Sequence, residues 1–161
     1  MLAKSGAVTD ARPVLSYRPR DMRWDPDAPC LSVSSVSASS DSGKANGAKN
    51  TLDRDMRTRW SPAKAGAQWL LYDLGSAKTV SGASVVWYAL MPTTAAFTIE
   101  VSTDGKSFTK VDDGTFGGRG TNTTLRTFLA MQGRYVRVGI NAPSIAACPG
   151  IYEVGIHGEG A

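Results

Sequence analysis

The sequence predicts an all-β protein, an antiparallel β-sandwich of jelly-roll type. Three observations carry that prediction. Ser, Thr, Val and Gly dominate the chain, and turn-forming residues recur at intervals of about a dozen, the spacing of short strands joined by tight connections. Apolar and polar residues alternate where the pattern is clearest: Phe97, Ile99 and Val101 on one face, Thr98, Glu100 and Ser102 on the other, the period of a half-buried strand. The balance is that of a globular domain. With 161 residues, 42% hydrophobic and 20% charged, the chain is long enough to bury a core and too apolar to stay unfolded.

Taken in order, residues 1–29 differ from the rest. Pro13, Pro19, Pro26 and Pro29 remove backbone donors, so this stretch reads as a linker or the tail of a preceding domain, with Tyr17 and Trp24 as points where it would pin to a surface. The compact unit is expected over 30–161. Residues 31–36 open the sandwich and 37–49, rich in Ser, Gly, Lys and Asn, form a polar loop. Alternation then marks strands at 68–74, 80–90, 97–102, 107–111, 125–130, 135–140 and 151–156. Asp104-Gly105 is read as a type I′ hairpin turn, which needs positive φ at both central positions.

Several function classes are disfavoured. The net charge of +4 is mildly basic, but the Lys and Arg residues are scattered without the tract or aromatic–basic pattern of a nucleic-acid binder. No stretch approaches the ~20 apolar residues of a membrane span. The single histidine, His157, has no Cys or His nearby and reads as structural; no nucleophile elbow, phosphate loop or zinc spacing occurs, so the chain is not expected to be an enzyme. Cys30 and Cys148 bracket the compact unit. If first and last strands lie side by side, a bridge between them is reasonable and would contribute about 4–5 kcal/mol; otherwise both are buried thiols. The bridge, the stronger expectation, implies an oxidising compartment.

The run from Asn50 to Trp60 is the richest in chemistry. Asp53, Asp55 and Thr58 crowd oxygen ligands into one loop, as a hard cation requires. Together with Gln68-Trp-Leu-Leu-Tyr-Asp-Leu-Gly75, Phe97-Thr-Ile-Glu-Val-Ser-Thr-Asp-Gly105, Arg134-Tyr-Val-Arg-Val138 and Ile151-Tyr-Glu-Val-Gly-Ile-His-Gly158, it resembles the discoidin, or coagulation factor 5/8 type C, domain. The likeness is stronger to the family 32 carbohydrate-binding modules of bacterial polysaccharide-degrading enzymes, including the alginate-lyase-associated type, and spans about 31–158.

That resemblance implies a galactose-binding-like sandwich and a secreted module targeting an attached catalytic domain to a polysaccharide, with an acidic one such as alginate among the candidates. The opening Met1-Leu-Ala-Lys-Ser-Gly lacks the apolar run of a signal peptide, so a leader would lie outside this chain. The resemblance further implies a structural Ca²⁺ held by Asn50, Asp53, Asp55 and Thr58 with Glu153, although Arg54 stands where the family usually has Gly. Sugar binding falls to the loops at one end, with Trp87 or Tyr88 as stacking platform and Arg59, Lys64 and Arg119 as cations for carboxylate or sulfate groups. Adjacent strand residues face opposite ways, so only one of the two aromatics can serve. Trp60 reads as core. The alternative is a discoidin-type adhesion domain that binds protein or phospholipid headgroups through apolar loop tips such as Leu90-Met91-Pro92.

Overall fold

The structure, a computed structural model, describes residues 30–159. The proposed linker, with Tyr17 and Trp24, lies outside the described residues. Four strands make up the fold: β1 (Ser35–Ala38), β2 (Gly66–Ser102), β3 (Thr109–Ala142) and β4 (Gly150–Glu159). The long ones bend through register shifts, so β2 and β3 each serve both layers of the sandwich. In one layer β1 borders 66–73, which borders 135–142; that run also borders 96–102, whose other edge takes 109–115. In the second, β4 borders 79–88, and 82–89 borders 120–127. Every pairing is antiparallel.

Alternation placed the core as expected. Leu70, Tyr72, Ile99, Val101, Val136, Val138 and Ile140 from the first layer meet Val85, Trp87, Ile151, Val154 and Ile156 from the second. Trp87 stacks on Phe116 at 5.0 Å between centroids and tilts against Phe97 at 5.8 Å. Two of the recognised motifs are tied together by charge: Arg134 donates from two nitrogens to the Asp73 carboxylate at 2.8 and 2.9 Å. This holds Asp73 below the usual carboxylate range.

Short 3₁₀ turns at Lys44–Asn46 and Ala48–Leu52 interrupt the polar loop after β1. The second packs against both β1 and β4 and so closes the open edge of the sandwich. The connection after β2 differs from the expected type I′ turn: Gly105 alone has positive φ, at 73°. Asp104 instead organises the turn through its side chain, accepting from Ser102 Oγ and from the backbone N–H groups of Lys106 and Ser107. Those bonds hold its carboxyl down at about 2.

The expected Cys30–Cys148 bridge is corrected by the structure, in which the two cysteines are not joined. The chain before β1 does run beside β4, since Leu31 N donates to Ile156 O at 2.7 Å. That pairing puts Cys30 at the far end of β4, its Sγ 3.9 Å from His157 Nδ1. Cys148 precedes the near end at Gly150. The seven steps from Gly150 to His157 span about 23 Å at ~3.3 Å each, far beyond disulfide reach. His157 is buried, with its Nε2 3.0 Å from Ser84 Oγ, and the fold brings Cys30 beside it where the sequence led to no Cys neighbour.

Candidate functional site

The loop carrying Asp53, Asp55 and Thr58 folds back on itself. Asp53 accepts from Asp55 N–H at 2.9 Å through one oxygen and from Thr58 Oγ1 at 2.6 Å through the other. Thr58 Oγ1 also lies 3.0 Å from the Asp55 carbonyl, and Thr58 N–H donates to it at 3.1 Å. Arg54 sits at the crest with φ 60°, the only non-Gly residue of positive φ among the described residues. Arg54 thus holds the left-handed conformation that favours glycine, at the position where the resembled family usually has Gly.

Opposite this loop Glu153 is buried, with 1% of its surface exposed, and its Oε1 has no hydrogen-bond partner. Burial pushes this carboxyl up to about 8, and the neighbouring Asp53 carboxylate adds to the rise, while the Arg54 and Asp55 amides oppose it. Two facing carboxyl groups, one with an orphaned oxygen, beside a hydroxyl and a backbone carbonyl, suit a hard divalent cation. Among the described residues no three His, Cys, Asp or Glu side chains form a metal-holding group, so a cation here must also draw on neutral oxygens. Asp55 is turned away: its carboxylate pairs with Arg57 at 2.8 Å, leaving the carbonyl as its available donor. Asn50 braces the loop, its amide donating to the carbonyls of Ala45 and Arg59 at 2.8 Å each.

The expected sugar-site residues divide. Trp87 is fully buried, and its indole N–H donates to Thr124 Oγ1, so it is corrected from platform to core. Its neighbour Tyr88 points the other way and is half-buried. The Arg59 guanidinium lies over the Tyr88 ring, 4.4 Å from the centroid. Tyr152 meets Tyr88 edge-on at 5.3 Å. Arg59 reaches this position by crossing Gly150, where a Cβ would stand 3.1 Å from its Cδ and 3.0 Å from the Trp60 carbonyl. Its Nε is buried without a hydrogen-bond partner.

Lys64, on the connection before β2, and Arg119, within β3, are both exposed. Lys64 precedes Gly66, which pairs Ala142, and Arg119 lies between Gly118 and Gly120, which pair Thr93 and Ala89. Gln68 accepts from the Ser39 and Ser40 hydroxyls at 2.8 and 2.6 Å. Tyr152 was missed in the sequence because regular alternation hides it. β4 is irregular here: Val86 pairs Glu153 while Trp87 pairs Ile151, so Tyr152 is the extra residue of a bulge.

A two-layer antiparallel sandwich with an acidic loop closing its edge and an Arg–Tyr–Tyr patch beside it defines a discoidin-type binding domain. The chain belongs to the F5/8 type C domain family, whose model matches residues 35–154. The carbohydrate-binding module, family 32, of AlyQ in complex with 4,5-unsaturated mannuronic acid is 34% identical with a TM-score of 0.71, over 80% of this chain and 98% of that one. In truncated AlyQ, where such a module accompanies an alginate lyase domain, the match covers 32% of the longer chain. Chitosan-binding module 1 of a chitosanase/glucanase from Paenibacillus sp. IK-5 is 29% identical with a TM-score of 0.65, over 81% of this chain and 99% of that one. A polysaccharide lyase 8 family protein, HylA, from Enterococcus faecalis (strain ATCC 700802 / V583) is 36% identical over 63 residues, and the match spans 39% of this chain and 4% of HylA. No helix among the described residues is long and apolar enough to cross a membrane.

Proposed function

We propose that this chain is a non-catalytic carbohydrate-binding module that holds an attached polysaccharide-degrading enzyme on an acidic glycan, a uronate polymer such as alginate. The single observation that carries this reading is the Arg59–Tyr88–Tyr152 patch. Arg59 lies over the Tyr88 ring, 4.4 Å from its centroid, and its guanidinium carries the planar N–H donors that suit a carboxylate. Tyr88 and Tyr152 supply the ring surface against which the apolar face of a pyranose packs. Lys64 and Arg119 add exposed positive charge, which favours a polyanion over a cationic chitosan. The AlyQ module in complex with a mannuronate supports the same ligand class. Non-catalytic action is supported by His157, whose ring is committed to Ser84 inside the fold.

The acidic loop is assigned to a structural Ca²⁺, with Asp53, Thr58 and Glu153 as side-chain ligands and Asp55 contributing its carbonyl. The secreted location and the enzyme partner belong to the same reading, since a polymeric uronate is met outside the cell. Affinity electrophoresis tests it: migration should be retarded in gels containing alginate and much less in gels containing a neutral galactan. Equal migration in both, matching a ligand-free gel, would remove the proposal.

One observation favours a second reading, an adhesion domain that binds phospholipid headgroups. Leu90 and Met91 are 72% and 57% exposed at the loop end, and Ile145 is 53% exposed on the loop that Thr93 ties to them through the Ala147 carbonyl. Co-sedimentation with phosphatidylserine vesicles that disappears on Met91→Asp would select this reading over the first.

A further inference from the structure

The acidic loop and the Arg–Tyr–Tyr patch are built from the same two stretches of backbone. Thr58 turns its hydroxyl to Asp53, and the next residue, Arg59, lies on Tyr88. On the facing strand Glu153 is buried against the loop, and the preceding residue, Tyr152, packs edge-on to Tyr88. A pair of backbone bonds clamps these stretches together: Trp60 N–H donates to Ile151 O at 2.8 Å, and Ile151 N–H to Trp60 O at 2.9 Å. Trp60 is itself fully buried, with its indole N–H on the Ser40 carbonyl and the Asp41 carboxylate at 3.0 Å each. Asn50 adds a tie, since one amide nitrogen joins the Ala45 and Arg59 carbonyls.

We propose that these two features form one coupled unit, in which a divalent cation held at Asp53, Thr58 and Glu153 sets the positions of Arg59 and Tyr152 and thereby tightens binding of a carboxylated sugar. The inference rests on the acidic-glycan reading and adds its regulation. The Glu153 Oε1 and Arg59 Nε are both buried and unpaired, so the junction of the loop and β4 carries two polar atoms that no protein group satisfies. A cation held by Thr58 and Glu153 acts on residues one position away from both arms of the patch, Arg59 and Tyr152. Ordering these arms in advance removes part of the entropic cost that the sugar would otherwise meet on binding. The coupling is reciprocal, so the sugar must tighten the cation by the same factor.

The test is calorimetric titration of the 161-residue chain with a mannuronate trisaccharide, too short to gel with calcium, in CaCl₂ and in EDTA. The dissociation constant should be about tenfold lower in CaCl₂, and titration of CaCl₂ with and without trisaccharide should show the same ratio. Asp53→Asn and the isosteric Glu153→Gln should bind the sugar equally in both media, at the EDTA level. Near-ultraviolet circular dichroism gives a readout free of sugar: CaCl₂ should change the tyrosine signal of the parent chain, and Tyr152→Phe should diminish that change. Calcium binding that leaves the sugar constant unchanged overturns the coupling while leaving the carbohydrate reading intact. Sugar binding without any calcium binding also overturns it. Absence of sugar binding in both media removes the carbohydrate reading, and the coupling with it.

Discussion

Arg54 is the residue at which the loop pays for its shape. With φ at 60° it occupies a conformation that costs an ordinary L-residue about 1–2 kcal/mol. Arg54→Gly should therefore stabilise the chain, by roughly 0.5–1 kcal/mol once the greater freedom of glycine in the unfolded chain is counted; urea denaturation midpoints check this. Asp104 gives a pH signature. Its folded pKa of about 2 lies below the ordinary 3.8, so its contribution is fully present above about pH 4 and is lost as pH falls through 2. The parent chain and Asp104→Ala should thus differ in melting temperature at pH 6 and converge towards pH 2. A constant gap across that range would show that the turn depends on something other than the ionised carboxylate.

At the scale of elements, the consecutive pair Trp87 and Tyr88 separates packing from recognition. Trp87→Ala should cost about 3–5 kcal/mol, because it empties the space between Phe97 and Phe116. Tyr88→Ala should leave melting nearly unchanged and remove most of the glycan affinity. The paired elements were legible in the sequence because a buried face imposes a period of two, and Phe97–Ile99–Val101 or Val136–Val138–Ile140 carry it without interruption. The meeting of Asp53, Asp55 and Thr58 in one loop was legible too, since they lie within six positions of one another. What alternation conceals is any departure from it. The bulge that turns out Tyr152 depends on how β4 pairs with β2, and the separation of the cysteines depends on which end of β4 meets Leu31. Both are set by partners far along the chain. Reducing agent should accordingly leave the melting temperature where it is, and a fall of several degrees would restore the disulfide.

For the whole molecule, the acidic loop links a connection near the start of the fold to its last strand, so a ligand there stabilises the folded state alone. EDTA should lower the melting temperature, and Asp53→Ala should make the chain insensitive to EDTA. In the proposed function, this sandwich recognises acidic glycans through the Arg59 guanidinium over the Tyr88 ring. The most direct measurement is the dissociation constant of a mannuronate trisaccharide, determined by calorimetry in CaCl₂ at 50 and 300 mM NaCl for the parent chain and for Arg59→Gln. A constant in the micromolar to millimolar range is expected, as for a few stacking and charge-assisted contacts. It should weaken clearly at the higher salt, where screening shortens the reach of exposed charge. Arg59→Gln should raise it about tenfold or more at low salt, the loss expected of a hydrogen bond to a charged group, and flatten its salt dependence. Binding that ignores both salt and the loss of Arg59, or that is matched by a neutral galactose trisaccharide, would contradict the account.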